Sequence, residues 1–218
     1  MPLERIGHGG ASALERANTL ASFDAAREVG IDHIEFDVRS SRGQLVLAHT
    51  RFHARRGGSV SLRDALRHLA AGRFGDIGLH LDVKERGYER EILGQLHEME
   101  LLKRTLLCSQ IPLVLDRFRA LDPDVRVGIS VGGRVARASH RWGSWRVPVL
   151  AGLAAGRWNV LMVQHKLVDH GLVRSVGEHG GSLYAWTVND RRLIDSLTDL
   201  GVHGITTADP RLFLPAPA

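Results

Sequence analysis

Two acidic side chains two residues apart are the first sign of chemistry in this chain. In Ile31-Asp32-His33-Ile34-Glu35-Phe36-Asp37-Val38, the apolar residues Ile34, Phe36 and Val38 alternate with His33, Glu35 and Asp37. Side chains alternate faces along a strand, so an apolar face packed on helices sends both carboxylates to the opposite side. Two carboxylates near the end of a buried strand are costly unless something neutralises them. A hard divalent cation bound by oxygens, Mg2+ or Ca2+, is the natural candidate; the alternative is a solvated edge strand with its charges outward. A second stretch, Leu79-His80-Leu81-Asp82-Val83-Lys84, repeats the pattern. Asp82 offers a third oxygen ligand, and Lys84 either binds a phosphate or pairs with the carboxylates. Taken alone, a plain Asp82–Lys84 ion pair would account for it. Two histidines also close strand-like segments: His8 ends Arg5-Ile6-Gly7-His8 and His49 ends Leu45-Val46-Leu47-Ala48-His49. Imidazole titrates near neutrality, so two of them across a metal-bound phosphate could act as general base and general acid. The chain has 12 His, and most must be solvated or structural.

These side chains need a scaffold that gathers strand ends. Strand-like segments are expected at 3–8, 31–38, 44–49, 77–84, 105–108, 125–131, 159–164, 182–188 and 203–207. Between them, Thr19–Val29, Leu62–Leu69, Glu89–Leu102, Leu113–Leu121, Leu167–Glu178 and Arg191–Leu200 carry apolar residues at helical spacing. Repeated strand–helix units predict a parallel sheet with right-handed crossovers. About eight units in 218 residues suit a (β/α)8 TIM barrel better than a doubly wound sheet. No Rossmann or P-loop glycine fingerprint argues otherwise. Catalytic groups of such barrels gather at the C-terminal strand ends, where these carboxylates and histidines fall.

Composition agrees. With 44% hydrophobic and 24% charged residues, the chain is neither disordered nor a coiled coil. Residues 1–218 are expected to form one domain. The single Cys, Cys108, excludes a disulfide framework. The longest apolar run, Val147 to Gly156, is broken by Pro148 and too short to span a bilayer. No basic-then-apolar leader opens the chain, so a cytoplasmic protein is expected. The net charge of +5 rests on Arg, since Lys84, Lys103 and Lys166 are the only lysines. It suits anionic partners such as phosphate esters or an acidic membrane surface.

The order of these motifs resembles the glycerophosphodiester phosphodiesterase family, a group of (β/α)8 barrels. That family opens with His-Arg-Gly, then Pro-Glu-Asn-Thr, Gly-x-Asp-x-Ile-Glu-x-Asp-Val, and a strand ending His-Asp. Here these read His8-Gly9-Gly10, Arg16-Ala17-Asn18-Thr19, Gly30 to Val38, and His49-Thr50. Leu81-Asp82-Val83-Lys84 looks like the family's Ile-Glu-Ile-Lys. Trp186-Thr187-Val188-Asn189 matches its penultimate-strand motif, and Gly201 to Thr207 resembles its closing Gly-Val-Asp-Gly-Ile-Ile-Thr. The resemblance implies that His8 and His49 are the acid–base pair and that Glu35, Asp37 and Asp82 hold a divalent cation. It further implies that Lys84 and Trp186 contact substrate, and that a glycerophosphodiester is hydrolysed to sn-glycerol 3-phosphate and an alcohol.

The chain departs from the pattern in several places. The family's phosphate-binding Arg is Gly9 and its neighbouring Glu is Ala17, consistent with loss of both partners of one ion pair. The family's metal-ligand Glu is the shorter Asp82, and the Asp after the second His is Thr50. The usual substrate-covering excursion is reduced to a stub, Thr50 to Ser59, containing Arg51, His53, Arg55 and Arg56. Arg51 or Arg55 is a candidate replacement for the phosphate clamp, a bidentate role that Arg suits; the alternative is a solvated loop. A second basic stretch, Arg134, Arg137, His140, Arg141, Trp142, Trp145 and Arg146, would line a substrate groove, touch an anionic membrane surface or bind nucleic acid; the alternative is that its Trp residues pack the first turn of a helix. The expected partner is a small phosphodiester or a lysophospholipid headgroup, with at most peripheral membrane contact and no nucleic acid. Three rivals remain: phospholipase D-like action on lysophospholipids, a degenerate barrel that only binds phosphate esters, and, third, nucleic-acid binding, which rests only on the basic charge and the Arg/Trp stretch.

Overall fold

The computed structural model describes residues 2–132 and 142–215. Among these residues nine strands form one sheet: β1 (Glu4–His8), β2 (His33–Ser41), β3 (Gln44–Leu47), β4 (Gly78–Val83), β5 (Thr105–Ser109), β6 (Arg126–Val131), β7 (Val160–Gln164), β8 (Ser182–Trp186) and β9 (Gly204–Thr207). All except β3 are parallel and close into a ring, β1-β2-β4-β5-β6-β7-β8-β9, with β9 bonded back to β1. This is the expected (β/α)8 TIM barrel. Its helices are α1 (Leu20–Val29), α2 (Arg51–Arg56), α3 (Leu62–Leu69), α4 (Glu89–Glu98), α5 (Pro112–Leu121), α6 (Trp142–Ala154), α7 (His170–Glu178) and α8 (Arg191–Asp199).

Local chemistry sets the helix ends. Thr19 accepts from Ser22 N–H and Ser22 reaches back to the Thr19 N–H, a capping box that starts α1. Ser61, Asp169 and Asp190 start α3, α7 and α8 by accepting from the third residue on. Pro112 opens α5, where its missing N–H costs nothing. The periodicity gave no sign of α2, which is six residues long, or of α6, an apolar helix with Pro148 inside it.

The segment at 44–49 corrects the sequence expectation. Arg42 and Gly43 both hold positive φ, 51° and 77°, the two-residue turn that joins antiparallel strands. So short a link cannot make a parallel crossover. β3 therefore folds back on the long end of β2, pairing Val38 with Leu47 and Ser41 with Gln44. It runs back towards the barrel mouth and delivers His49 there from outside the ring.

Two cores follow from strand alternation. Ile34, Phe36, Leu79 and Leu81 point outward into the main core with Phe23, Ala26, Leu62 and Leu66 from the helices. Inside the barrel, Ile6, Leu106, Cys108, Val160, Met162 and Tyr184 form a separate apolar plug. The Phe23 and Phe36 rings lie 5.3 Å apart in the outer core, both fully buried. Phe36→Ala is expected to destabilise the chain by about 3–5 kcal/mol, read as a lowered urea midpoint.

Candidate active site

Three carboxylates converge at the C-terminal strand ends. β2 pairs with β4 so that Asp37 stands opposite Asp82 and Glu35 opposite His80. All four point inward because their apolar neighbours point out. Glu35, Asp37 and Asp82 each offer an oxygen, and these lie within 4.8 Å of one another. Glu35 and Asp37 are only 6% and 2% exposed.

Partners make that much buried charge tolerable. Lys84, one residue past β4, reaches Asp37 Oδ1 at 2.8 Å and also pairs with Asp82. The Gly9 N–H donates to Glu35 Oε2 at 2.9 Å. Asn18 holds Asp37 twice: its amide donates to Oδ2 at 3.0 Å, and its Oδ1 accepts from the Asp37 N–H at 2.9 Å. His49 Nδ1 lies 3.2 Å from the same carboxylate. One lysine still does not balance three carboxylates. Burial, then the charges of Asp37 and Asp82, push Glu35 well above the ordinary carboxylate range. Burial also raises Asp82, against the pull of Lys84. For Asp37, burial acts upward, but the His49 hydrogen bond and Lys84 outweigh it and hold the carboxyl far below its usual range. Asp82 Oδ1 is buried without a hydrogen-bond partner. Excess buried negative charge and an orphaned carboxylate oxygen make a donor set that fits a divalent cation.

The histidines complete the mouth. The rings of His8 and His49 meet edge to face with centroids 6.5 Å apart. Both line a cavity of about 370 Å3, together with Glu35, Asp82, Lys84 and Trp186. Cys108 and Met162 line it from the plug, and Gln110, Ser130, Thr187 and Thr206 add polar wall. Burial pushes the His8 imidazole below its usual value, whereas the hydrogen bond with Asp37 raises His49. Trp186 lies over Gly132, where a Cβ would come within 2.5 Å of the indole, and its Nε1 is buried without a partner.

Residues 8–67 and 80–212 match the glycerophosphoryl diester phosphodiesterase family. The chain belongs to that family. It is therefore a phosphoric diester hydrolase. It is 28% identical to glycerophosphodiester phosphodiesterase GDPD4 of Arabidopsis thaliana, over 94% of this chain and 70% of that protein. It is 25% identical to YhdW of Bacillus subtilis over 94% of each chain. Its fold matches that of an Oleispira antarctica phosphodiesterase solved with the product sn-glycerol-3-phosphate, with a TM-score of 0.73 and 22% identity over 97% of this chain and 94% of that one.

For a member of this family the mouth has unusual features. A Cβ on Gly9 would lie 2.9 Å from the Ala17 Cβ, so the positions that lack the Arg and the Glu face each other. The structure does not bring Arg51 or Arg55 to the cavity. Arg51 is on α2 and donates to Glu85 Oε1 at 2.9 Å, beside Arg39 on the same carboxylate. Arg55 is exposed. Thr50 has a local task instead, accepting from the His53 N–H to cap α2. Of the second basic stretch, Arg134, Arg137, His140 and Arg141 lie outside the described residues. Trp145 packs against the main core and Arg146 pairs with Asp169 at 3.2 Å, which favours the packing role for this end. Asn18 is the site residue that the sequence reading passed over. Its signal was its place in the stretch Arg16-Ala17-Asn18-Thr19, directly before the Thr19 cap; in the structure it holds a positive φ of 63°, which Asn tolerates.

Asn18→Ala is expected to cost about 1–3 kcal/mol by leaving Asp37 short of partners, measured by urea unfolding. Glu35→Gln should raise the melting temperature of chelator-treated protein, because it removes a buried charge that its neighbours oppose. It should also remove the stabilisation that added Mg2+ or Ca2+ confers on the wild type.

Proposed function

We propose that this mouth hydrolyses glycerophosphodiesters to sn-glycerol 3-phosphate and an alcohol, with His8 and His49 as the acid–base pair. The observation that carries the reading is the pair of imidazoles, 6.5 Å apart, lining the same cavity as the carboxylate group. A divalent cation, Mg2+ or Ca2+, held by Glu35, Asp37 and Asp82 would supply positive charge to the phosphoryl oxygens. One imidazole takes the proton of the attacking oxygen and the other donates a proton to the leaving alcohol. Asp37 engages His49 through Nδ1, which leaves Nε2 for the reacting atoms. Lys84 offers its ammonium to the phosphate. Among the described residues no Arg lines the cavity, and Gln110, Ser130 and Trp186 offer further contacts. The product complex of the Oleispira antarctica protein supports a substrate of this class.

Among the described residues, no helix is long and apolar enough to cross a membrane. The proposal places residues 1–218 in the cytoplasm as one catalytic domain. A second reading, phospholipase D-like action on lysophospholipids, is favoured by Phe52, 66% exposed on α2 among the arginines of the stub.

Turnover of glycerophosphocholine and lysophosphatidylcholine with Mg2+ or Ca2+ tests the proposal. His8→Ala and His49→Ala are each expected to lower kcat by about 10²–10⁴-fold, and EDTA to stop turnover. Phosphorus NMR separates the readings, since internal attack by a substrate hydroxyl gives a cyclic phosphate in place of glycerol 3-phosphate. Activity indifferent to both EDTA and His8→Ala would sink the mechanism.

A further inference from the structure

A second group of ligating side chains sits at the N-terminal end of the barrel, outside the mouth and its chemistry. Glu4, His33 and His80 belong to three adjacent strands, β1, β2 and β4. By alternation each shares the inward face with a mouth residue further along its strand: Glu4 with His8, His33 with Glu35 and Asp37, His80 with Asp82. One carboxylate oxygen of Glu4 and one nitrogen from each imidazole lie within 4.8 Å of one another. His33 Nε2 stands 3.0 Å from Glu4 Oε2. The imidazole centroids are 4.7 Å apart, and Tyr184 stacks on His80 at 5.6 Å. The Tyr184 hydroxyl donates to Glu4 Oε2 at 2.5 Å.

Two further observations point to a ligand. His80 is 1% exposed, and its Nδ1 has no hydrogen-bond partner. Buried polar groups are normally satisfied, so this arrangement leaves binding capacity unused. Space is also reserved for the His33 ring, because a Cβ on Gly78 would come within 2.0 Å of its Nδ1.

We infer that Glu4, His33 and His80 form a transition-metal site suited to Zn2+. Two imidazole nitrogens and one carboxylate are donors of zinc and its neighbours, not of Mg2+ or Ca2+. Donors bonded to one tetrahedral zinc stand about 3.3 Å apart, so the group closes around an ion by small side-chain rotations. Glu4 and His33 keep 39% and 19% of their side chains exposed, which gives an ion access from below. Tyr184 is the outer-shell partner that orients the carboxylate. Arg126, the first residue of β6, acts electrostatically on Glu4, His80 and Tyr184. It opposes a cation from an exposed position, from which its long side chain can swing into solvent. Ile6, between Glu4 and His8 on β1, belongs to the apolar plug, and the ion would tie three strands together and take no part in hydrolysis.

The test uses the full, untagged chain carrying Glu35→Gln and Asp37→Asn, which disable the mouth carboxylates. After chelator treatment, calorimetric titration with Zn2+ is expected to show one ion bound per chain. Adding Glu4→Gln or His33→Asn should each abolish that uptake, with circular dichroism confirming that the chains remain folded. Co2+ at the site should show the visible absorption of a nitrogen-containing tetrahedral ligand set. No Zn2+ uptake in the mouth-disabled chain, or uptake that survives both Glu4→Gln and His33→Asn, overturns the inference.

Discussion

Three carboxylates buried at one end of a barrel repel one another, and the mouth is arranged around that repulsion. Lys84 bridges Asp37 and Asp82, the Gly9 amide donates to Glu35, and Asn18 clamps Asp37 from both sides. These contacts hold the carboxylates at fixed positions without cancelling their charge. Burial, and then the like charge of Asp37, displaces Glu35 and Asp82 upward in pKa. The residual demand for positive charge is what makes the cavity suited to a cation and, through it, to an anionic phosphodiester. The same charge acts on the histidines: His49 is tied to Asp37, whereas His8 is governed by its burial.

Barrel geometry separates this charged mouth from the rest of the interior. Residues rise about 3.3 Å along a parallel strand, so Glu4 and His8 are roughly 13 Å apart on one inward face. Between them Ile6 joins Leu106, Cys108, Val160, Met162 and Tyr184 in an apolar layer. The barrel thus carries polar groups at both ends and an apolar plug between, all from period-two alternation on the same strands. Buried polar groups remain affordable only where partners or solvent reach them, which places them at the ends.

Legibility in the sequence followed the range of the interaction. Glu35, Asp37, Asp82 and Lys84 were readable because alternation within one strand sets their facing, whatever the rest of the chain does. The helices α1, α3, α4, α5, α7 and α8 were readable from apolar spacing and capping residues. Arg51 was not: its composition suits a phosphate clamp, but Glu85, 34 residues away, engages it outside the cavity. Asn18 was likewise hidden, since its role depends on Asp37, 19 residues on. α6 gave no periodic signal because its apolar residues do not repeat at helical spacing and Pro148 stands among them.

The segment that ends at His49 shows where the boundary lies. Residue types and spacing alone determined a barrel of strand–helix units, the inward carboxylates and a histidine after an apolar run. That the run is an antiparallel return strand, set by two positive-φ residues at Arg42 and Gly43, was decided by pairing with β2. Tertiary structure also decided that Asp37 stands opposite Asp82, that Gly9 faces Ala17, and that Arg51 engages Glu85 and does not line the cavity. Alternation and periodicity are local properties of the backbone, so a sequence displays them directly. Register, facing and ion-pair choice depend on which distant segments are brought together, and only the closed sheet fixes that.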